Sequence, residues 1–409
     1  MQPGVVIAGG GQAGLEAAAM LRTQGYEGTV TLICEEPHAP YQRPPLSKEF
    51  LTGKQEVDRV FLRTLAYYEK QRIDLIMDER VTEINAGAKM VHLAGGGTFP
   101  YAQLILAVGA RNRTLPTPGA DNVLYLRSLD EAVTLKQRIA EARHGVVVIG
   151  GGFIGLEVAA AARTAGKTVT VIEAAPRLMA RAVSPVLSDF FLNLHRAQGT
   201  EVLLNAVAVE VRPDAVMLEN GHRLAADLVV AGIGVIPNVE LARAAGLEVN
   251  DGIMVDEYMR TTDPAIFAIG DCADHPNVFA GGRARLESVQ NAVDQARCVV
   301  RVIMGQPAPY RDVPWFWTDQ FDARFQMAGL SGTHDQSVLR GSKEARKFSV
   351  FYFKQGRLLA VDSVNRPGDH ITARKMLAAG TPLTPEQASD ETVDLKKLAA
   401  GADLHRASC

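Results

Sequence analysis

Two glycine clusters, each followed by an acid, are the residues of this sequence whose types and spacing most directly imply chemistry. Gly9-Gly10-Gly11-Gln12-Ala13-Gly14 precedes Glu35, and Gly150-Gly151-Gly152-Phe153-Ile154-Gly155 precedes Glu173. Each acid falls near the offset of about 20 residues at which a dinucleotide fold places a ribose-binding carboxylate. In such a set the first glycine makes a tight turn, the second lets the backbone approach a pyrophosphate, and the third lets helix and strand pack closely. The helix that follows offers free N–H groups and the positive end of its dipole to the phosphates. A single motif of this kind is weak evidence, whereas two in the same context predict two bound dinucleotides. Both acids can accept hydrogen bonds from a ribose diol, and a 2′-phosphate placed against Glu173 would meet like charge, so NADH is expected rather than NADPH. Arg177, four residues beyond Glu173, reads as a surface arginine of its loop rather than a 2′-phosphate ligand.

These residues need a strand, a turn and a helix to hold them, and the pattern supplies each. Apolar residues 5–8 lead into the first glycines, an Ala/Leu-rich helix follows, and residues 29–34 form the next strand. The same order recurs with residues 146–149, the second glycines, a second Ala-rich helix and a strand over 168–172 that ends at Glu173. Three further apolar runs end in small residues, at 104–110 (LILAVGA), 228–234 (LVVAGIG) and 266–271 (IFAIGD), where a chain can leave one doubly wound domain and enter another. From about residue 310 the composition shifts to Trp315, Phe316 and Trp317 and then to alternating strand-like stretches at 348–353 and 358–361, predicting a third, antiparallel α+β domain.

Composition removes several functional classes. With 409 residues, 47% of them hydrophobic and 22% charged, the chain exceeds one core and requires two or three domains. A net charge of −3 gives no electrostatic reason to expect nucleic acid or an anionic membrane as partner. No apolar run approaches the roughly 18 residues of a membrane span, and no basic leader precedes residues 5–8, so a cytoplasmic protein is expected. The four cysteines, Cys34, Cys272, Cys298 and Cys409, form no CxxC pair and no zinc-type cluster, so neither a disulfide framework nor a metal site is expected. The nine histidines, His92 and His195 among them, have no partners at ligand spacing and read as structural or exposed.

The sequence resembles the FAD-dependent ferredoxin reductases of oxygenase systems along nearly its whole length. The likeness is carried by Pro44-Pro45-Leu46-Ser47-Lys48, the stretch from Gly150 to Glu157 (GGGFIGLE), 232–238 (GIGVIPN), 268–273 (AIGDCA), 287–292 (ESVQNA) and 314–320 (PWFWTDQ). It implies an α/β protein with two interleaved, doubly wound, glutathione-reductase-like dinucleotide domains and a C-terminal α+β domain. The expected FAD domain comprises 1–109 and 237–309, the NADH domain 110–236, and the C-terminal domain 310–409. The resemblance assigns Gly9, Gly11, Ala13, Gly14 and Glu35 to the adenosine diphosphate half of FAD, and Gly150, Gly152, Gly155 and Glu173 to NADH. It places Asp271 against the ribityl chain and Val289 against the flavin ring, and matches the family's other FAD contacts to Arg43, Lys48, Val81 and Arg127. Lys48 and Glu157 resemble the lysine–glutamate pair beside the flavin, where a lysine stabilises negative charge as hydride arrives and the glutamate holds it in place. Trp317 matches a tryptophan near the flavin that screens the nicotinamide site or lines the electron exit, while Trp315 reads equally as a core aromatic. Val108 departs from the threonine that the family carries, so Arg111 and Arg113 beside it are not assigned to the site.

The expected function is hydride transfer from NADH to FAD, followed by single-electron delivery to a [2Fe-2S] ferredoxin serving a cytochrome P450 or an aromatic-ring dioxygenase. Such a partner is typically acidic and would dock on a local basic patch, for which Arg311 is the candidate. A flavoprotein NADH oxidase or disulfide reductase shares the two-domain plan but carries reactive cysteine soon after the first unit, where this chain has none between Cys34 and Cys272. A third alternative, a non-enzymatic role like that of apoptosis-inducing factor, is disfavoured by the net negative charge.

Overall fold

The computed structural model describes residues 3–406, so Cys409 lies outside the described residues. The chain forms two compact units. The first holds Met1–Gln42, Val60–Arg111 and Ile236–Phe316, and the second holds Arg43–Arg59, Asn112–Val235 and Trp317–Cys409.

The first unit is built on strand Gly4–Ala8, every residue of which is buried. It pairs in parallel with Val30–Ile33 on one side and with Thr98–Leu106 on the other. Asp74–Ile76 and Ile266–Ala268 extend the parallel sheet, and Val81–Asn85 and Met90–Leu93 add an antiparallel meander to Thr98–Leu106. Burial on both faces explains why these strands read as unbroken apolar runs rather than alternating ones. Helices Gln12–Thr23 and Val289–Ile303 pack together, and their buried faces are rich in small residues, Ala13, Gly14, Ala17 and Ala18 in one, Ala292 and Ala296 in the other.

The second unit contains a five-stranded parallel sheet in the order Glu201–Leu204, Val169–Glu173, Val146–Ile149, Leu228–Ala231, Val123–Leu124. A three-stranded antiparallel ribbon accompanies it, formed by Ala208–Arg212, Ala215–Leu218 and Arg223–Ala225. The C-terminal part is an antiparallel sheet in the order Trp315–Gln320, Ala323–Gly329, Arg357–Val364, Lys347–Lys354, Gln336–Ser342. Its core joins Phe351, Phe353 and Val361 to Ala373 and Met376 of helix Pro367–Ala379. This sheet seats on helix Pro185–Ala197 through an aromatic cluster: Phe190 meets Phe348 with centroids 5.1 Å apart, and Phe191 meets Phe325 at 5.5 Å. Such edge-on pairs add about 1 kcal/mol each beyond their buried area.

The expected strand boundaries shift by at most three residues, as at Arg357–Val364 against the expected 358–361. A larger difference concerns residues 43–59, which the division by sequence placed in the first nucleotide domain and which lie in the second compact unit. The consecutive prolines Pro44 and Pro45 open a short 3₁₀ turn, Pro44–Ser47, and redirect the chain there.

Candidate functional site

Each glycine of the two clusters does a separate physical job, visible in what a Cβ would strike. Gly9 has φ +117°, and a Cβ there would lie 2.2 Å from the Ala107 carbonyl oxygen. At Gly14 a Cβ would lie 2.0 Å from the Gly9 oxygen, so helix Gln12–Thr23 could not sit so close to its strand. Gly11, between them, has nothing within 4 Å of that position, and as N-cap it gives the helix no side-chain cap. The second cluster repeats the arrangement: Gly150 has φ +106° and 2.5 Å to the Gly232 oxygen, Gly155 has 2.1 Å to the Gly150 oxygen, and Gly152 meets only the Gly232 oxygen at 3.8 Å. Helix Phe153–Thr164 likewise begins without a side-chain cap. Open space at the middle glycine over uncapped amides is the shape and polarity that a pyrophosphate needs, so both loops fit a dinucleotide.

Of the residues expected to hold FAD, Glu35, Val81, Asp271 and Val289 lie in the first unit with the first loop, and Arg43, Lys48 and Arg127 lie in the second. Glu35 follows strand Val30–Ile33 with its side chain 67% exposed, 3.6 Å from Arg80, and Val81 is the next residue. Gly270 (φ +78°) brings Asp271 beside the loop: a Cβ on it would be 3.3 Å from that of Ala13, and its N–H donates to Gln295 Oε1 at 2.7 Å. Val289 opens helix Val289–Ile303, whose Ser288 cap accepts from the Asn291 N–H at 3.1 Å. Arg111 makes a paired contact with Glu240 and reaches Asn238, which in turn donates to the Val108 carbonyl, so this corner is held without the absent threonine hydroxyl.

In the second unit Glu173 closes strand Val169–Glu173 and accepts from the Gly151 N–H and the Ala175 N–H, both at 2.7 Å. Its carboxylate is therefore oriented before any ribose arrives. Arg177 spends its guanidinium on the carbonyls of Val183 and Ala180, both 2.6 Å, and on Ser188 Oγ at 2.9 Å, and so belongs to its own loop.

The lysine and glutamate singled out by resemblance meet within this unit. Glu157 lies two residues past Gly155 on helix Phe153–Thr164 and is 2% exposed. Lys48 Nζ stands 2.8 Å from its Oε2 and also donates to the Pro44 carbonyl at 3.3 Å. Ser47 donates to the same Oε2, and Thr318 donates to Oε1 at 2.5 Å. Arg43 donates to the Arg127 carbonyl at 2.5 Å, joining two more of the expected residues. Trp317, half-buried, precedes Thr318 in strand Trp315–Gln320. Ser47 and Thr318 were not legible in the sequence, since a lone hydroxyl carries no signal until folding sets it beside a charge.

No group of acids, histidines and cysteines among the described residues is arranged to hold a metal. The three described cysteines are buried. Burial pushes the thiols of Cys34 and Cys298 up to about 12 and that of Cys272 up to about 11. None is a thiolate near neutral pH, and the thiolate is the reactive form.

A family model described as pyridine nucleotide-disulphide oxidoreductase matches residues 3–296. The chain belongs to that family. A second model, described as reductase C-terminal, matches residues 315–399. Rhodocoxin reductase of Rhodococcus erythropolis is 49% identical over 98% of this chain and 96% of its own length. Putidaredoxin reductase of Pseudomonas putida is 41% identical over 99% and 98%. Among solved structures, the ferredoxin reductase for the CYP199A2 system from Rhodopseudomonas palustris superposes with a TM-score of 0.95 at 47% identity, covering 97% of this chain and all of that one. The covalent putidaredoxin reductase–putidaredoxin complex gives a TM-score of 0.95 at 40% identity, over 98% of this chain and 99% of that one. The architecture is that of these flavoenzymes: two doubly wound dinucleotide domains and a C-terminal α+β domain.

Proposed function

We propose that the chain is an NADH-dependent, FAD-containing ferredoxin reductase that passes single electrons to a [2Fe-2S] ferredoxin serving a cytochrome P450 or an aromatic-ring dioxygenase. The observation that carries this reading is the pair of dinucleotide cradles in a chain whose described thiols are all buried. A disulfide reductase needs a reactive sulfur as its second redox centre, and here electrons must leave by another route. FAD supplies the acceptance of a two-electron hydride and the release of electrons one at a time.

The chain's own residues have distinct parts. Gly9, Gly11, Ala13 and Gly14 receive the FAD pyrophosphate at the first helix N-terminus, Glu35 and Val81 its adenosine end, and Asp271 and Val289 its ribityl and ring portions. Gly150, Gly152 and Gly155 receive the NADH pyrophosphate, and Glu173, fixed by two main-chain donors, accepts the ribose hydroxyls and repels a 2′-phosphate. Lys48 sets a positive charge against the flavin ring, Glu157 holds that lysine, Arg43 and Arg127 support the FAD, and Trp317 screens the nicotinamide site or lines the electron exit. The corresponding division is 1–109 and 237–309 for FAD, 110–236 for NADH and 310–409 for the C-terminal domain. The electron acceptor docks transiently through opposite charge, with Arg311 as a contact. The reaction is placed in the cytoplasm; no described helix is long and apolar enough to cross a membrane.

The test is anaerobic. Purified protein is expected to be yellow, to bleach with NADH much faster than with NADPH, and to reduce cytochrome c only when a [2Fe-2S] ferredoxin is added. Equal rates with the two nucleotides would remove the NADH assignment, and ferredoxin-independent reduction of a disulfide would remove the acceptor.

A further inference from the structure

Behind Glu157 runs a line of fully buried polar side chains that no step described so far uses. Thr318, Gln320 and His195 are each 0% exposed, and Glu157 is 2% exposed. They come from three separate elements: helix Phe153–Thr164, strand Trp315–Gln320 and helix Pro185–Ala197. Pleating of the strand turns Thr318 and Gln320 inward while Trp317 and Asp319 occupy the other, half-buried face.

The line has a direction. His195 Nε2 lies 2.9 Å from Gln320 Oε1, and an amide oxygen can only accept, so the ring proton sits on Nε2. His195 Nδ1 is buried with no hydrogen-bond partner, which suits a bare ring nitrogen. Burial also pushes the imidazole down to about 4, so it is neutral at working pH. With its oxygen committed to the histidine, the Gln320 amide turns its NH₂ toward Thr318 Oγ1, 3.4 Å away. That contact leaves the threonine hydroxyl free to give its proton to Glu157 Oε1 at 2.5 Å. Every donor therefore faces the carboxylate. A side-chain amide in the middle does not hand on protons, so the line is a rail of oriented dipoles and not a proton wire.

We propose that Thr318, backed by Gln320 and His195, is a positioning residue that fixes the Glu157 carboxylate and through it the Lys48 ammonium, so that rapid flavin reduction depends on the threonine hydroxyl; this rests on the reading of the Lys48–Glu157 pair as lying beside the flavin. Ser47 and Lys48 both approach Oε2, and Thr318 donates to Oε1. Without it the carboxylate is held at Oε2 alone, so its plane can tilt about that oxygen and the lysine shifts with it.

The experiment compares Thr318→Val, which keeps the volume and loses the hydroxyl, with Thr318→Ser, which keeps the hydroxyl. In FAD-free protein, acylation of Lys48 by acetic anhydride, read by mass spectrometry, is expected to quicken several-fold in Thr318→Val and to remain at the parental rate in Thr318→Ser. In FAD-loaded protein, Thr318→Val is expected to slow NADH-driven flavin reduction on the order of tenfold, the scale on which groups that orient a reacting ligand act, with the KM for NADH unchanged and Thr318→Ser restored. Parental Lys48 acylation and parental flavin reduction in folded Thr318→Val overturn the proposal, as does a drop in melting temperature with no change in either rate. If Thr318→Val does not fold, Gln320→Met is read instead, and unchanged Lys48 acylation there overturns it. Altered acylation in a protein whose flavin NADH does not reduce leaves the positioning role standing and overturns the proposed function.

Discussion

A carboxylate at 2% exposure is expensive to keep ionised, and Glu157 offsets that cost with one ammonium and two hydroxyl donors. Removing one partner of a buried ion pair leaves the other uncompensated, so Lys48→Met is expected to cost about 3 kcal/mol of stability. With Lys48 beside the flavin, as proposed, the same change should also slow NADH-driven flavin reduction. Chemical denaturation and stopped-flow bleaching measure the two effects separately. At this scale the sequence was informative only where a residue sat inside a motif. Lys48 and Glu157 were named because their flanks are distinctive. Ser47 and Thr318, 110 and 161 residues from Glu157 along the chain, became partners only through long-range packing. His195 read as structural, and its place at the end of the donor line depends on a glutamine 125 residues away along the chain.

Helices and strands were the most legible level, because glycine spacing and apolar runs are local signals. The two strand–turn–helix units and the late antiparallel strands follow from them, with Lys347–Lys354 and Arg357–Val364 overlying the expected stretches. The excursion over 43–59 was not legible, since its membership is set by contacts distant in sequence. The glycine geometry separates binding from folding at this level. Gly152→Ala adds a methyl into open space whose nearest atom is 3.8 Å away. The fold should hold with its melting temperature unchanged, while the KM for NADH rises if the methyl enters the place proposed for the NADH phosphate. Gly155→Ala would set a methyl 2.1 Å from a carbonyl oxygen and is expected to lower the melting temperature by several degrees or more, at a cost of about 2 kcal/mol. Equal effects of the two changes would refute the division of labour.

For the whole molecule, buried titratable groups set the pH range of stability. Burial pushes His195, His275 and His370 down to about 4 from the usual 6.5. The folded state thus binds fewer protons than the unfolded chain between those values. Their contribution is complete above pH 6.5 and is lost as pH falls toward 4, on the order of 3 kcal/mol for each histidine. Asp362 runs the other way. Burial raises it from 3.8 to about 7, outweighing the hydrogen bond from Tyr352 that favours the ionised form, so its contribution is complete below 3.8 and is lost as pH rises through 7. Urea midpoints are therefore expected to fall steeply from pH 6.5 to 4, where three histidines outweigh one acid, and more gently between neutrality and pH 8. Asp362→Asn should remove the loss toward neutral and alkaline pH and steepen the fall on the acid side, where the carboxyl no longer offsets the histidines.

Composition and cysteine spacing, the coarsest features of the sequence, had already argued against thiol chemistry, and the structure supplies the physical reason in three sealed sulfurs. That sealing has a bearing on wear. A reduced flavin that meets dioxygen makes peroxide a few ångströms from the polypeptide, and peroxide enters the oxidation ladder through thiolates. Among the described cysteines, Cys34, Cys272 and Cys298 offer it no foothold, so peroxide raised by an electron that strays from its path leaves these three thiols intact.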